Sequence, residues 1–229
     1  GGYNRMKSRV QDKVIENEDL VNWPNWLYLT FKIEEGTWFS LAETEILELT
    51  TRLHLKEGVL ERNMRFRDQQ GRETSVLSRR FVSMAHPHVA AIQWVMKPIN
   101  WSGRISIRSG IDGQVINNNV ERYSQLNQDH IQVIEKGAFN GKSVYMLSRT
   151  KQSQIHMAQA VRTDLYVGSG KLKVRAKLVE TDGFVANDFV VECSRGETLR
   201  IEKLLALYTS RDFAISDPLT EASVQMERL

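Results

Sequence analysis

The chain contains little cysteine and no long apolar run. One cysteine in 229 residues excludes an intramolecular disulfide and fits a reducing compartment, so we expect a cytoplasmic protein. Cys193 ends an apolar run, which favours a packed, unreactive side chain over a nucleophile. No run reaches the ~18 apolar residues of a membrane span. The first residues also lack the apolar core of a secretory signal, so we expect neither a membrane partner nor export.

An excess of one charge is missing as well. The 31 basic and 28 acidic residues give a net charge of +3, which is too weak and too evenly spread to predict a nucleic-acid partner. A local cluster of six arginines lies between positions 62 and 80: Arg62, Arg65, Arg67, Arg72, Arg79 and Arg80. In a strand, Arg65 and Arg67 share one face, opposite Met64 and Phe66. This alternation favours a solvated sheet face with cross-strand ion pairs over an anion site.

The common catalytic and metal-binding signatures are also missing. No GxGxxG, GxxxxGK[ST], HExxH, CxxC or GxSxG pattern occurs. His86 and His88 have a spacing that could serve a metal, but Pro87 between them favours a corner. Glycoside chemistry needs two carboxylates, and the available pairs lie among turn or surface signals: Glu34/Glu35, Glu43/Glu45 and Asp182/Asp188. We therefore predict no catalytic residue, no metal site and no cofactor site in this chain.

Short strand patterns dominate what is present. Alternating apolar residues and frequent turn signals predict about twelve to fifteen strands. One hairpin is predicted from 59–67 and 73–84, and another from 184–192 and 198–208. A basic strand is predicted at 171–179, and the polar residues 3–19 indicate a loop or a poorly paired strand. The pattern is typical of a single large antiparallel β-sandwich, an all-β fold.

The last residues change character. Asp217 is a suitable N-cap, and Pro218 suits the first position of a helix over residues 219–229. A short C-terminal helix after an all-β chain indicates a connection to a further domain. We therefore predict a sandwich domain over residues 1–214, and the start of a helical linker over residues 215–229.

Residues 20–31 form the most aromatic stretch of the chain. Leu27, Leu29 and Phe31 alternate with polar or amphipathic residues and predict a strand, and Pro24 predicts an irregular bend before it. Flat aromatic faces and amide groups suit a sugar, but large aromatic residues at a strand entrance are also common core anchors. Both interpretations stay open for the candidate residues of the bend: Asn22, Trp23, Asn25 and Trp26.

Several segments together resemble the N-terminal domain of glycoside hydrolase family 65. They are Leu-Val-Asn-Trp-Pro-Asn-Trp-Leu (20–27), Gly-Val-Leu-Glu-Arg (58–62), Phe-Arg-Asp-Gln-Gln-Gly-Arg-Glu-Thr (66–74), Ser-Arg-Arg-Phe-Val-Ser-Met-Ala (78–85), Asn-Trp-Ser-Gly (100–103) and Thr-Ser-Arg-Asp (209–212). The resemblance implies a β-supersandwich of the galactose-mutarotase type. That family contains inverting phosphorylases of maltose, trehalose, kojibiose and nigerose, and some trehalose hydrolases. Its general acid is a glutamate on a downstream helical barrel, where phosphate also binds, and no position here matches either.

The resemblance implies a non-catalytic domain of a larger enzyme. Its substrate would be an α-linked glucose disaccharide, with inorganic phosphate as co-substrate if the enzyme is a phosphorylase. We expect the sandwich to support its own C-terminal catalytic barrel, to help form a homodimer and to present the bend at the active-site rim. The family's upstream Gly-Asn-Gly-Tyr segment is not in this chain, so we expect the first strands of the sandwich to be missing. The alternatives are a stand-alone carbohydrate-binding or mutarotase-like sandwich and a purely structural interaction module.

Overall fold

The structure, a computed structural model, describes residues 2–118, 125–213 and 215–229. These residues form fifteen strands and one α-helix. In chain order they are β1 (Tyr3–Val10), β2 (Lys13–Leu20), β3 (Leu29–Ile33), β4 (Glu45–His54), β5 (Val59–Arg67), β6 (Glu73–Val82), β7 (Val89–Pro98), β8 (Gly103–Asp112), β9 (Ile131–Phe139), β10 (Ser143–Thr150), β11 (His156–Val167), β12 (Gly170–Lys171), β13 (Lys177–Thr181), β14 (Phe184–Cys193), β15 (Leu199–Thr209) and α1 (Pro218–Arg228). The predicted all-β sandwich with a short C-terminal helix is confirmed.

Two antiparallel sheets form the sandwich. The large sheet has the order β4-β5-β6-β7-β15-β11-β10-β9, with the two-residue strand β12 beside β11. The small sheet has the order β13-β14-β8-β3. The hairpin β5–β6 forms as predicted, with the Asp68-to-Gly71 turn between its strands. The main path of the large sheet therefore has eight strands, twice the number in the small sheet.

The main core lies between the two sheets. Phe31, Ile107 and Phe189 of the small sheet pack against Phe66 and Ile201 of the large sheet. All five are at most 2% exposed. Along these strands buried residues alternate with less buried ones, as in β3 and β15, which is the two-residue period of a strand. Burying an apolar side chain of this size stabilises the fold by about 1.5–3 kcal/mol.

Residues 3–19 form a regular hairpin instead of a loop. The strands β1 and β2 pair in register from Tyr3↔Leu20 to Val10↔Lys13 and make a separate two-stranded sheet. The expectation of a loop or poorly paired strand was therefore wrong. No strand pattern is visible in the sequence because most side chains of β1 and β2 stay in solvent and show no apolar alternation. The buried Asn4 attaches the hairpin to the sandwich, since its Oδ1 accepts from the backbone N–H groups of Gln152 and Ser153.

The predicted hairpin over 184–192 and 198–208 does not form. Its two strands lie in different sheets: β14 pairs with β13 and β8, and β15 pairs with β11 and β7. The turn at 194–197 therefore carries the chain from the small sheet to the large one. Alternation shows which side chains face the core, but both strands of an arch between sheets have the same alternation as a hairpin.

The predicted basic strand over 171–179 is interrupted. Only its ends belong to strands, β12 and β13, and the residues between them cross the edge of the sandwich. Leu172, Val174 and Ala176 pack against the main core as predicted, whereas Leu178 is 43% exposed. A segment that covers the gap between two sheets keeps the alternation of a strand without its hydrogen-bonded neighbours.

The helix α1 begins as the sequence predicts. Asp217 is the N-cap, and its Oδ2 accepts from the backbone N–H of Thr220 at 2.8 Å. The buried residues Ala222 and Met226 pack on a row of alanines that includes Ala158 and Ala206, on the outer face of the large sheet. The division of the chain into a sandwich and a linker stays a prediction.

Candidate functional site

The bend at residues 22–27 is held at the end of the small sheet. Asn25 forms an isolated bridge with Asp112, the last residue of β8: its N–H donates to the Asp112 carbonyl at 2.6 Å, and its carbonyl accepts from the Asp112 N–H at 3.1 Å. The Asn25 Oδ1 also accepts from the Leu27 N–H at 3.0 Å. Pro24 starts the bend without a ladder donor, so the backbone can leave the extended path before β3 begins.

The segment after β8 closes against the bend. The Asn22 N–H donates to Asn117 Oδ1 at 2.8 Å, and the Asn22 Nδ2 donates to the Ile116 carbonyl at 3.1 Å. Asn117 Nδ2 in turn donates to the Leu20 carbonyl at 3.0 Å. The sequence pattern predicts an exposed loop at 117–119. Asn118 is exposed and lies in a loop, whereas Asn117 is half-buried and its side chain bonds to the bend. Asn119 lies outside the described residues.

A buried lysine fastens the base of the bend to the large sheet. Lys203, on β15, donates from Nζ to the carbonyls of Tyr28 at 2.8 Å and Gly110 at 2.7 Å. Its complete burial lowers the pKa of the Lys203 amine well below the usual value. The bend is therefore tied to both sheets.

Between the bend, the segment 114–118 and the ends of β11 and β15 lies a groove of about 570 Å³, which we name the bend groove. All four candidate residues, Asn22, Trp23, Asn25 and Trp26, line it. Its thirteen lining residues are two tryptophans, five amides and six aliphatic residues, and none of them is charged. Trp26 also packs against two of the core clusters, so it is an anchor as well as a lining residue. Contact of these residues with a sugar stays a prediction.

Gln159 is a lining residue that was missed from the sequence. It lies on β11 beside Leu207 of β15, is 2% exposed, and donates from Nε2 to the Pro24 carbonyl at 3.0 Å. Because a carbonyl only accepts, the amide nitrogen must face Pro24, and Oε1 is the atom left over. Among the described residues, neither Gln159 Oε1 nor Trp23 Nε1 has a hydrogen-bond partner, although both atoms are buried. The available signal was a glutamine in an otherwise apolar row, between Met157 and Val161.

The arginine-rich hairpin β5–β6 differs from the bend groove, because its outer face carries charged side chains that bond to one another. Arg65 and Arg67 donate to the two oxygens of Glu73 at 2.7 and 2.8 Å, and Arg79 donates to Glu61 at 2.9 Å. These bonds lower the pKa of the Glu73 carboxyl, mainly through Arg67 and then Arg65. Met64 and Phe66 face the core. The predicted sheet face with cross-strand ion pairs is confirmed.

At least one member of each carboxylate pair weighed from the sequence bonds to an arginine residue. Asp188 accepts from Arg108 at 2.7 and 2.8 Å, and Glu45 accepts from Arg67 at 2.9 Å. Glu34 Oε1 accepts from the Arg104 backbone N–H at 2.7 Å. Asp188, Glu45 and Glu34 therefore take part in structural hydrogen bonds in this arrangement.

The remaining candidates are structural in their contacts. His88 stacks on Tyr208 with ring centroids 4.0 Å apart, and its Nδ1 lies 2.8 Å from the Leu207 carbonyl. In the part of the chain that the structure describes, no three His, Cys, Asp or Glu residues come together as metal ligands could.

Burial raises the pKa of Cys193 to about 11, as expected for a packed thiol. Within the described ranges, no helix has the length and apolar character needed to cross a membrane.

The known proteins to which this chain is similar include a glycosyl hydrolase and two disaccharide phosphorylases. The chain is 36% identical to an uncharacterized glycosyl hydrolase of Mycobacterium tuberculosis over 214 residues, which is 93% of this chain and 16% of the relative. It is 28% identical to the kojibiose phosphorylase of Thermoanaerobacter brockii, covering 91% of this chain and 27% of that enzyme. The α,α-trehalose phosphorylase of the same organism is 31% identical over 78% of this chain and 23% of its own length.

A solved structure supports the same fold. A putative kojibiose phosphorylase from the human microbiome superposes with a TM-score of 0.76 at 12% identity, over 99% of this chain and 28% of that one. The chain thus spans between about a sixth and about a quarter of the length of these relatives. The model of the glycosyl hydrolase family 65 N-terminal domain matches residues 1–229. The chain therefore belongs to glycosyl hydrolase family 65, as an N-terminal domain.

Proposed function

We propose that this chain is the non-catalytic sandwich domain of an enzyme that phosphorolyses or hydrolyses α-linked glucose disaccharides. The observation that carries the proposal is the match of the whole chain to the family's N-terminal domain, with kojibiose and trehalose phosphorylases among its relatives. The arginine contacts of the candidate carboxylates agree with a catalytic centre located elsewhere in the protein. Inorganic phosphate is the co-substrate if the enzyme is a phosphorylase.

In this proposal the sandwich supports a helical catalytic barrel and takes part in a homodimer of a cytoplasmic enzyme. Residues 215–229 start the connection to the barrel, and α1 rests on the outer face of the large sheet through Ala222 and Met226. The bend at 22–27 contributes to the rim of the active site. It suits this role because it is irregular, rich in aromatic and amide groups, and fastened to both sheets at its base.

Activity measurements test the proposal. The protein that contains this domain is assayed with maltose, trehalose and kojibiose, with and without inorganic phosphate, beside the 229-residue chain alone. We expect glucose 1-phosphate or free glucose only from the longer protein. Turnover by the isolated chain would contradict the non-catalytic role, and a longer protein inactive on every α-glucobiose would contradict the proposed enzyme.

A further inference from the structure

We propose that the bend groove itself binds a neutral sugar, one pyranose unit of a disaccharide, and that it excludes sugar phosphates. Gln159 and Trp23 supply the hydrogen bonds. This goes beyond the rim role, in which the bend only borders a site formed elsewhere. It rests on the proposed function solely for the choice of α-glucosides as ligands.

The size and lining of the groove fit such a ligand. About 570 Å³ lies within the ~300–1,000 Å³ range of small-molecule sites. Trp23 and Trp26 offer flat apolar surfaces that suit the C–H faces of a pyranose. Amide atoms of the lining without a partner among the described residues, such as Gln159 Oε1, can bond its hydroxyl groups. Aliphatic residues such as Leu27 and Leu207 complete the apolar wall.

The absence of charge selects among ligands of this size. The thirteen described residues that line the groove contain no lysine, arginine, histidine, aspartate or glutamate. A phosphate or carboxylate would lose its hydration there without gaining a cationic partner, which is unfavourable. A hydroxylated, uncharged molecule loses much less on entering.

Two unpaired atoms select further for hydroxyl groups. Gln159 Oε1 is an acceptor that needs a donor, and Trp23 Nε1 is a donor that needs an acceptor. A hydroxyl group both donates and accepts, so a polyol offers a partner to either atom. A fully ionised phosphate group only accepts, so that group cannot donate to Gln159 Oε1 as a hydroxyl group does. An amide oxygen buried without a partner destabilises the protein, so pairing it with a ligand hydroxyl favours binding.

Binding has to move the bend slightly. Gln159 Oε1 and Trp23 Nε1 are both buried in this structure, so a sugar reaches them only when neighbouring side chains shift. Trp23 and Trp26 line the groove, and therefore such a shift changes the surroundings of two of the five tryptophans. Tryptophan fluorescence then reports binding directly.

The experiment uses the 229-residue chain with four additives: maltose, kojibiose, glucose 1-phosphate and inorganic phosphate. Tryptophan fluorescence and titration calorimetry should show saturable binding of the two disaccharides and none of the two phosphates. Gln159→Leu keeps the approximate volume but removes the acceptor, and Trp23→Phe keeps an aromatic face but removes the N–H. Each should weaken disaccharide binding about tenfold or more.

Gln93→Leu is the matched control. Gln93 lies on β7, and its Nε2 donates to Glu202 outside the groove, so this variant should bind as the unaltered chain does. Circular dichroism checks folding, and Trp23→Phe decides the outcome if Gln159→Leu does not fold. The proposal is overturned if no neutral sugar binds, if glucose 1-phosphate binds equally well, or if both groove variants retain full affinity. Enzyme activity of the longer protein in that case would leave the proposed function intact.

Discussion

The arginine-rich hairpin and the bend groove show two opposite uses of polar residues. In the hairpin, charged groups are dense and paired, as in the bonds of Arg65 and Arg67 to Glu73. In the groove, none of the described lining residues is charged, and two buried polar atoms have no partner in the described part of the chain. The most conspicuous charge cluster of the sequence is therefore structural, and the plainer amide-rich bend is the better candidate for binding.

The indole N–H groups of two tryptophans differ in the same way: one is hydrogen-bonded and the other has no partner among the described residues. Trp101 Nε1 donates to the Glu73 carbonyl at 3.1 Å and to Thr74 Oγ1 at 3.0 Å, beneath the hairpin. Trp23 lines the groove, and its Nε1 is buried without a partner in the described part of the chain. A satisfied buried donor stabilises the fold, whereas an unsatisfied one favours a ligand that can pair with it.

The largest loss of stability is expected from a substitution on the inner, core-facing side of the hairpin. Phe66 is 1% exposed and packs against the rings of Phe39 and Phe31, with centroids 4.8 and 5.8 Å away. Phe66→Ala should lower the free energy of unfolding by about 3–5 kcal/mol in urea denaturation. Leu53→Ala on β4 is the exposed control and should change it much less. Equal losses in the two variants would show that the hairpin is not part of the core.

A smaller effect is expected where the hairpin pairs its buried polar atoms. Thr74 is fully buried, and its Oγ1 accepts from the Trp101 indole. Thr74→Val should lower the free energy of unfolding by about 0.5–1.5 kcal/mol, because one hydrogen bond is lost while the Glu73 carbonyl still accepts from the indole. An unchanged unfolding curve would mean that this bond does not contribute, and that the contrast with Trp23 is weaker than proposed.

The ion pairs of the hairpin should appear mainly in the pH dependence of stability. The pKa of the Glu73 carboxyl is below its ordinary value of 4.5 because Arg67 and Arg65 donate to it. The native state therefore binds the proton less readily than the unfolded state, so this contribution is present above pH 4.5 and is lost as the pH falls further. Melting temperatures of the unaltered chain and Glu73→Gln should differ at pH 7 and converge towards acid pH. A difference that stays constant down to strongly acid pH would contradict this role.

The smallest effect on stability is expected in the groove. Gln159→Leu removes an unpaired acceptor, which is favourable, and also the bond to the Pro24 carbonyl, which is not. These changes oppose each other, so the free energy of unfolding should stay within about 1 kcal/mol. Urea denaturation beside Thr74→Val makes the comparison direct. A large loss of stability would show that Gln159 is a structural residue whose partner matters to the fold.

Much of the hairpin could be predicted from the sequence because the residues that determine its pairing and its buried face are neighbours in the chain. Alternation placed Phe66 inside and Arg67 outside, and the Asp68-to-Gly71 turn fixed the pairing of β5 with β6. The cap at Asp217 was equally local. The partners of β14 and β15 could not be read in this way, because alternation is the same for a hairpin and for an arch between two sheets.

The groove could be predicted only in part. The four candidates at 22–26 were close in sequence, and the structure brings them to one surface. Gln159 and Leu207 reach that surface from distant strands, through a sheet order that local patterns do not contain. Lys203, which fastens the base of the bend, lies between Ile201 and Leu205 on one face of β15, and nothing local in the sequence names Tyr28 and Gly110 as its partners. Long-range pairing decides which polar residues become buried, and hence which of them lack partners.

The central claim is that buried polar atoms of the bend-groove residues Gln159 and Trp23, unpaired among the described residues, are free to bond a neutral sugar. The indole N–H of Trp101 beneath the hairpin, in contrast, is already bonded. The indole N–H resonances of the ¹⁵N-labelled chain, assigned with Trp23→Phe, test it during titration with maltose. We predict a saturable shift of the Trp23 resonance and a stationary Trp101 resonance, since Trp101 Nε1 is already bonded. A stationary Trp23 resonance, or equal shifts of Trp23 and Trp101, would contradict the claim.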